Sequence, residues 1–366
     1  MIGATMAADM AASEGWRVTV CDARAETLKQ LAEASDVDTA QADLSSADAI
    51  GRAVAEADVV LCALPSRMGT APLEAVIAAG KSCVDIAFTI GDPRALSRRA
   101  ADAGATVVVD CGIAPGLSNM ICGDAARQLE PCDELVIYVG GLPVVRQKPF
   151  EYKVGFDPAD VLEEYTRRAR MMVGGQVVAR EALSALEPID LPGVGTVEAF
   201  NTDGLRTLLD LPVPDMLEKT LRWPGHVELM RTFRDTGLFS LEPIQIGGDI
   251  VRPRDLTAAL LFPHWTYEPG EPDLTVMRVE ARGGGRRLRW DLLDYYDPAS
   301  DTRSMSRCTG FPAASVARMI GEGRFPLGPG VYAPETAAGE PGFLDTVLAD
   351  LAARGVRCRF EEPADE

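Results

Sequence analysis

Through its first 110 residues the chain alternates helical and strand patterns at short spacing, and few folds accept that rhythm. Residues 4–13 (ATMAADMAAS) read as a helix, and RVTVC at 17–21 reads as a short strand ending at Asp22. A helix follows through AETLKQLAEA, residues 46–56 are helical, and DVVLCAL at 58–64 is a buried strand closing on Pro65. Next come a helix (APLEAVIAAG), a strand (SCVDIA), a helix (PRALSRRAADAG) and a strand (ATVVVD). Repeated βα units predict an α/β domain, a parallel sheet with helices on both faces. Strands that are apolar throughout fit a sheet buried on both sides.

After Asp110 the rhythm changes. DELVIYVG at 133–140 reads as a strand that Gly140-Gly141-Leu142-Pro143 should break. Longer β segments follow (ARMMVGGQVVAREAL and DLTVMRVEARGGGRRLRWDLLDY), the second a hairpin around Gly283-Gly284-Gly285. Helices are expected near 158–170, 203–210, 225–237 and 254–261, which makes an α+β domain with a mixed or antiparallel sheet. Residues 309–322 are again helical, and the tail ends in a helix (FLDTVLADLAARG) and a strand (VRCRFEE). The pattern divides the chain into a nucleotide-binding domain at 1–114, an α+β substrate and dimerisation domain at 115–308, and a C-terminal segment at 309–366.

Composition narrows the function classes. With 47% apolar and 25% charged residues the chain can build real cores. No run of eighteen apolar residues marks a membrane span, and MIGATMAADMAASEG carries no secretory signature, so a cytoplasmic protein without a membrane partner is expected. Net charge is −19 and no basic stripe offers itself to nucleic acid. Arg167, Arg168 and Arg170, beside Glu163 and Glu164, read as a solvated helix face. None of the eight cysteines forms a CxxC pair, so reduced buried thiols are expected. With only His226 and His264 as histidines, no metal site is expected.

A dinucleotide-binding fingerprint runs strand, G-x-G-x-x-G, helix, strand, then an acidic residue about 20 residues on. Gly3 precedes the first helix, and Asp22 lies 19 residues later at a strand end. Gly3 then fits the third glycine, where a side chain would block helix–strand packing. Asp22 fits the acid that takes the adenosine ribose hydroxyls and favours NAD. Arg24, nearby, is suited to the 2′-phosphate of NADP. The first two glycines and their strand are absent. That strand is central in a Rossmann sheet, and without it buried backbone groups lose their partners. The expectation is that Met1 is an internal methionine, standing where the fingerprint reads G-x-G-M-I-G, with roughly ten more residues upstream. The plain alternative is an ordinary glycine before an alanine-rich helix. Asp43 in QADLSS, and Leu64, Pro65 and Ser66 after VVLCAL, face the same edge and are cofactor-binding candidates. A simple turn is the alternative for each.

Six segments carry a resemblance: VDCGIAPGLSNM at 109–120, YVGGLP at 138–143, PFEYK at 149–153, EAFNTDGLRTL at 198–208, EKTLRWPGH at 218–226 and RCTGFPAA at 307–314. Together, in this order, the chain resembles the saccharopine dehydrogenase-like family, and within it the L-lysine 6-dehydrogenase branch. The resemblance implies a Rossmann domain, an inserted substrate domain and a C-terminal helix returning to the first domain. It implies hydride transfer between NAD (or NADP) and a carbon bearing nitrogen, an amino-acid substrate, and a homodimer or higher homo-oligomer. Asp110 stands where the saccharopine reductase branch has the aspartate of an Asp-Pro-Gly motif, but Cys-Gly-Ile-Ala-Pro-Gly follows, as in the lysine type. Val139 replaces a cysteine of the saccharopine branch, which disfavours saccharopine itself as substrate.

Removing hydride from an amine requires the amine to be neutral, so a base is needed. Asp110, Lys153 and His226 are the catalytic candidates. Asp110 ends an apolar strand at the cofactor edge, where burial raises a carboxyl pKa; capping the next helix is the alternative. Lys153 is one of five lysines, and a solvated strand-face lysine is its plain reading. His226 follows Trp223-Pro224-Gly225 in the first turn of a helix, which it would hold in a structural role. Arg206 and Arg222 are candidates to clamp a substrate carboxylate, against structural salt bridges. Gly141 and Tyr152, within two of the quoted motifs, are placed with substrate. Thr309-Gly310 is read as opening a helix whose amides hold an anion or phosphate. Two other functions remain open from sequence: a reductive condensation of the carboxynorspermidine-forming type, and a non-catalytic nucleotide-binding protein.

Overall fold

The computed structural model describes residues 2–89, 91–156 and 158–363. The chain divides into two compact units, one of Met1–Asp124 with Ser306–Val356 and one of Ala125–Met305 with Arg357–Glu366.

The first unit opens with α1 (Ile2–Ala11), β1 (Thr19–Asp22), α2 (Ala25–Ala34), β2 (Asp38–Gln41), α3 (Ala47–Val54) and β3 (Val59–Cys62). It continues with α4 (Ala71–Ala78), β4 (Ser82–Asp85), α5 (Ser97–Asp102) and β5 (Thr106–Val108), and α6 (Leu117–Gln128) leads away. Every strand pairing is parallel, as the βα alternation predicts. The sheet comes in two pieces. β1 pairs with β2, β3 pairs with β4 and β4 with β5, and no described strand bridges β1 and β3. This is the strand order of a Rossmann sheet without its first strand. Cys83, Val84, Val107 and Val108 are fully buried, and Leu73, Val76 and Ile77 of α4 share a core with Cys83 and Val107. Each such side chain contributes about 1.5–3 kcal/mol by leaving water. Ser46 caps α3, its Oγ accepting from Ala49 N–H at 3.3 Å.

The second unit contains β6 (Glu134–Pro143), α7 (Pro158–Thr166), β7 (Ala169–Val173), β8 (Gln176–Arg180), β9 (Glu187–Leu191), β10 (Gly195–Asn201) and β11 (Asp215–Arg222). After these come α8 (His226–Asp235), β12 (Ile244–Ile246), β13 (Asp249–Val251), α9 (Pro253–Trp265), β14 (Asp273–Gly283) and β15 (Arg286–Tyr295). Its large sheet is mixed: β6 runs parallel to β11 and antiparallel to β14. Contrary to expectation, Gly140 and Gly141 do not end β6, which runs on to Pro143 and pairs with β14 to its last residue. The reason is space. A Cβ on Gly140 would lie 2.7 Å from the Leu221 carbonyl oxygen, so glycine permits this close strand approach. Arg167, Arg168 and Arg170 lie beyond the end of α7. Arg170 is the second residue of β7 and makes a forked ion pair with Asp203, so it is not on a solvated helix face.

The chain then returns. α10 (Ser304–Gly321) begins on the second unit's Asp273, whose carboxylate accepts from the Ser304 and Met305 amides at 2.8 and 3.0 Å. In the first unit β16 (Gly330–Tyr332) pairs with β5, and α11 (Pro334–Ala338) and α12 (Phe343–Ala353) follow. Asp9 of α1, Arg318 of α10, and Asp350 and Arg354 of α12 form one ion-pair network there. β17 (Cys358–Glu361) pairs with β15 in the second unit. The residues called a helix at 203–210 form a 3-10 turn at Arg206–Asp210. No helix among the described residues is long and apolar enough to cross a membrane.

Candidate functional site

The carboxyl end of the parallel sheet is where a doubly wound fold places its ligand. Asp22 ends β1 there. Its Oδ1 accepts from the Arg24 backbone amide at 2.8 Å and from Arg24 Nε at 3.3 Å. Burial pulls this carboxyl upward, but the hydrogen bonds and charge of Arg24 outweigh it and hold the pKa below the ordinary value. The Arg24 side chain stays 58% exposed, so one exposed cation sits beside the acid. That pair suits an adenosine ribose bearing a 2′-phosphate. Asp43 accepts from the Ser45 amide at 3.0 Å, which makes it the head of a small turn. Leu64 packs against the core, Pro65 precedes a 3-10 turn at Ser66–Met68, and Ser66 begins that turn. Gly3 lies in the first turn of α1. A Cβ there would meet Ala63 Cβ at 3.5 Å, an ordinary contact, so packing alone does not require glycine.

Two buried acids lie at or just beyond the ends of β4 and β5. Asp85 is 2% exposed and Asp110 is 1% exposed. Asp85 Oδ1 accepts from the Ala87 amide at 3.1 Å, and its main-chain carbonyl accepts from the Cys111 amide at 2.9 Å. Burial pushes the Asp85 pKa up to about 7; the amide of Ala87 and the thiol of Cys62 oppose this, and the charge of Asp110 adds to it. Asp110 has φ +52°, a left-handed backbone that non-glycine residues rarely adopt and that clusters at functional sites. Sequence reading singled out Asp110 and passed over Asp85. The signal available was its place: an acid ending an apolar strand, SCVD, one βα unit before VVVD.

In the second unit, Arg222 at the end of β11 is 3% exposed and donates in three directions. Nη2 reaches Glu164 at 3.0 Å and Tyr152 Oη at 3.4 Å, Nε reaches Tyr165 Oη at 3.2 Å, and Nη1 reaches the Leu221 carbonyl at 2.9 Å. Its guanidinium also lies 4.5 Å from the Tyr152 ring centroid. His226 Nδ1 is 2.9 Å from the Phe150 carbonyl, which can only accept, so Nδ1 carries the proton and Nε2 accepts from Tyr165 Oη at 2.8 Å. Burial, then the charge of Arg222, lowers the His226 pKa to about 3. His226 is therefore neutral, with both nitrogens engaged inside the core. Lys153 Nζ donates to Glu271 at 2.6 Å and lies 5.9 Å from the Tyr267 ring, with Arg303 5.0 Å from the same ring.

The structure thus gathers Tyr152, Arg222 and His226 into one cluster. Lys153 follows Tyr152 directly in the chain, as an ion-paired cation. Gly141 lies in β6 with Met305 beside it. Arg206 heads its 3-10 turn with φ +51°. Thr309 does not open a helix. α10 starts at Ser304, which places Thr309 in the helix interior, beyond the first four amides that could bind an anion. Gly310 beside it is where α1 crosses, since a Cβ there would lie 2.9 Å from Met6 Cγ. All eight cysteines are free thiols.

Residues 1–108 match the saccharopine dehydrogenase NADP binding domain and residues 112–356 match the saccharopine dehydrogenase C-terminal domain. The chain belongs to the saccharopine dehydrogenase family. Its cofactor is accordingly a nicotinamide dinucleotide. The matched domain is an NADP binding one, and beside Asp22, which suits NAD, Arg24 offers a cation that suits the NADP type. The chain is 24% identical over 345 residues to the mitochondrial alpha-aminoadipic semialdehyde synthase of Bos taurus, covering 74% of this chain but 37% of that one. It therefore spans about a third of that relative's length. It is 21% identical to the NADP(+), L-glutamate-forming saccharopine dehydrogenase of Saccharomyces cerevisiae, covering 93% and 92% of the two chains. The solved apo structure of the L-Glu-forming saccharopine dehydrogenase from that yeast matches the fold with a TM-score of 0.81 at 18% identity, over 100% of this chain and 98% of that one.

Proposed function

We propose that the chain is an NADP-dependent oxidoreductase acting on the amine of an amino acid. The observation that carries this reading is the burial of Asp85 and Asp110 at the carboxyl end of the sheet in an NADP-binding domain. Bound at that edge, the nicotinamide supplies hydride exchange with the carbon that bears the nitrogen. In this reading Asp22 and Arg24 hold the adenosine end, and Asp110 takes the proton that the substrate ammonium must lose. Lys153, already half of an ion pair, acts as a binding cation rather than as a base. Arg222 is the candidate carboxylate clamp, with Glu164 holding its place. His226 orients Tyr165 and through it Arg222.

A lysine-type amine is the first substrate to test, because Val139 stands where the saccharopine branch carries cysteine. Reduction of NADP and of NAD is followed with L-lysine, saccharopine and a panel of other amino acids. Turnover with an amino acid supports the reading, and tight cofactor binding with no turnover of any amine overturns it.

We further propose a homo-oligomer in a reducing compartment, for which the cytoplasm is the simplest choice. β12 and β13 form a hairpin outside the large sheet, with Ile244, Ile246 and Ile250 47%, 52% and 79% exposed. A two-stranded hairpin is marginal by itself in water and gains from apolar cover, here a second copy. Sedimentation of the chain and of Ile250→Asp tests this: a dimer that the variant dissociates is expected, and a monomeric wild type refutes it.

A further inference from the structure

We propose that Gln41 is a positioning residue for cofactor choice: it fixes the peptide that carries Arg24, and so fixes where the guanidinium meets the 2′-phosphate of NADP. The inference rests on the reading that Asp22 and Arg24 hold the adenosine end of the cofactor. Gln41 is the last residue of β2 and stands opposite Asp22, the last residue of β1, in the parallel register. From there its Nε2 donates to the Ala23 carbonyl at 3.0 Å. The other edge of the same peptide is the Arg24 amide, which donates to Asp22 Oδ1 at 2.8 Å. The carbonyl of Ala23 and the N–H of Arg24 belong to one planar unit, with the Arg24 Cα at its corner. Gln41 and Asp22 therefore hold that plane by its two opposite edges.

The placement of Arg24 depends on this plane. Arg24 lies outside α2, which begins at Ala25, and is extended at φ −97° and ψ 105°. Its side chain is tied at one point, Nε to Asp22 at 3.3 Å, and is 58% exposed. Its two terminal nitrogens make no hydrogen bond among the described residues, which leaves the planar fork that grips a phosphate. A phosphate brought to this edge also meets the Asp22 carboxylate, and the two repel. Net attraction then turns on where the fork sits. Asp22 needs no such help: β1 sets its place, and its own carbonyl accepts from the Ala42 amide at 3.1 Å. Loosening the peptide between Ala23 and Arg24 thus weakens the hold on the 2′-phosphate and spares the ribose hydroxyls. Every residue of β2 is exposed, so a change at Gln41 leaves the core untouched.

Gln41→Met keeps the length of the side chain and removes the donor. The probes are NADPH and NADH, which differ only in the 2′-phosphate and need no amine substrate. Their binding to the intact chain is followed by fluorescence for the wild type, Gln41→Met, Arg24→Ala and the double variant. The expected result in Gln41→Met is affinity about fivefold weaker for NADPH, with NADH held within about twofold. In the Arg24→Ala background the same change should do nothing beyond about twofold, because the guanidinium it places is gone. Equal losses for the two probes would make Gln41 a structural support of the turn and overturn the proposal. So would an undiminished loss for NADPH in the absence of Arg24, or no loss in the single variant. If Arg24→Ala leaves NADPH binding unchanged, the assignment of Arg24 falls and this inference with it. If Arg24→Ala weakens NADPH and Gln41→Met does not, only the role of Gln41 falls.

Discussion

The Tyr165 hydroxyl donates to His226 Nε2 at 2.8 Å and accepts from Arg222 Nε at 3.2 Å. One buried oxygen thus satisfies a neutral imidazole and a guanidinium together. Tyr165→Phe leaves both nitrogens unpaired and should cost about 1–3 kcal/mol. Urea unfolding of the variant measures it, and an unchanged midpoint would show that water or a rearranged Glu164 takes the hydroxyl's place.

His226 gives the second unit a sensitivity to acid. Its folded pKa is about 3 against an ordinary 6.5, so the unfolded chain binds this proton and the folded chain refuses it between those values. The stability is fully present above the ordinary value and is lost as pH falls toward the folded one, at most roughly 5 kcal/mol at 1.36 kcal/mol per unit. His226→Asn retains a donor for the Phe150 carbonyl and removes the titration. Its unfolding free energy should fall less steeply between about pH 6 and pH 4 than that of the wild type. Parallel slopes would place the acid sensitivity elsewhere.

Glu218 behaves in the opposite sense. It is 5% exposed, its Oε2 has no hydrogen-bond partner, and a Cβ on Gly204 would collide with its carboxyl. Burial, then the charges of Glu164 and Asp203, raises its pKa to about 8. The protonated acid stabilises the fold below its ordinary value, and that contribution is lost as pH rises through the folded one. Glu218→Gln, the neutral isostere, should therefore be more stable than wild type by about 1–3 kcal/mol near pH 8 and nearly equal near pH 5. Thermal melts at both pH values decide it.

Arg24 is expected to govern cofactor choice. Arg24→Ala should lower affinity for NADP by about tenfold and leave that for NAD within twofold, because only NADP offers a 2′-phosphate to the guanidinium. Titration of both nucleotides by fluorescence gives the ratio. Equal losses for the two would assign Arg24 to shaping Asp22 instead.

The sequence carried the architecture well where periodicity is local. AETLKQLAEA spans the whole of α2, and the glycine run at 283–285 turns the β14–β15 hairpin. It misled where an answer depended on a distant neighbour. Gly140 looks like a breaker until Leu221 is seen against it, and Thr309 looks like a helix start until Asp273 is seen capping Ser304. In the site, Asp110, Arg222 and His226 stood out by motif. Asp85, Glu218 and Tyr165 did not, because burial and electrostatic neighbours, which single them out, come from segments far away in sequence.

The first unit is discontinuous, and this bears on how the chain is made. β5 finds its partner β16 only after residues 125–305 have been synthesised, and Asp9 likewise waits for Arg318 and, last, for Arg354. During translation the early βα units must wait, one flank of their sheet unpaired, while residues 125–305 can already fold. The nascent chain is thus most exposed to aggregation and chaperone capture through its N-terminal third. Its release depends on the arrival of Ser306–Val356.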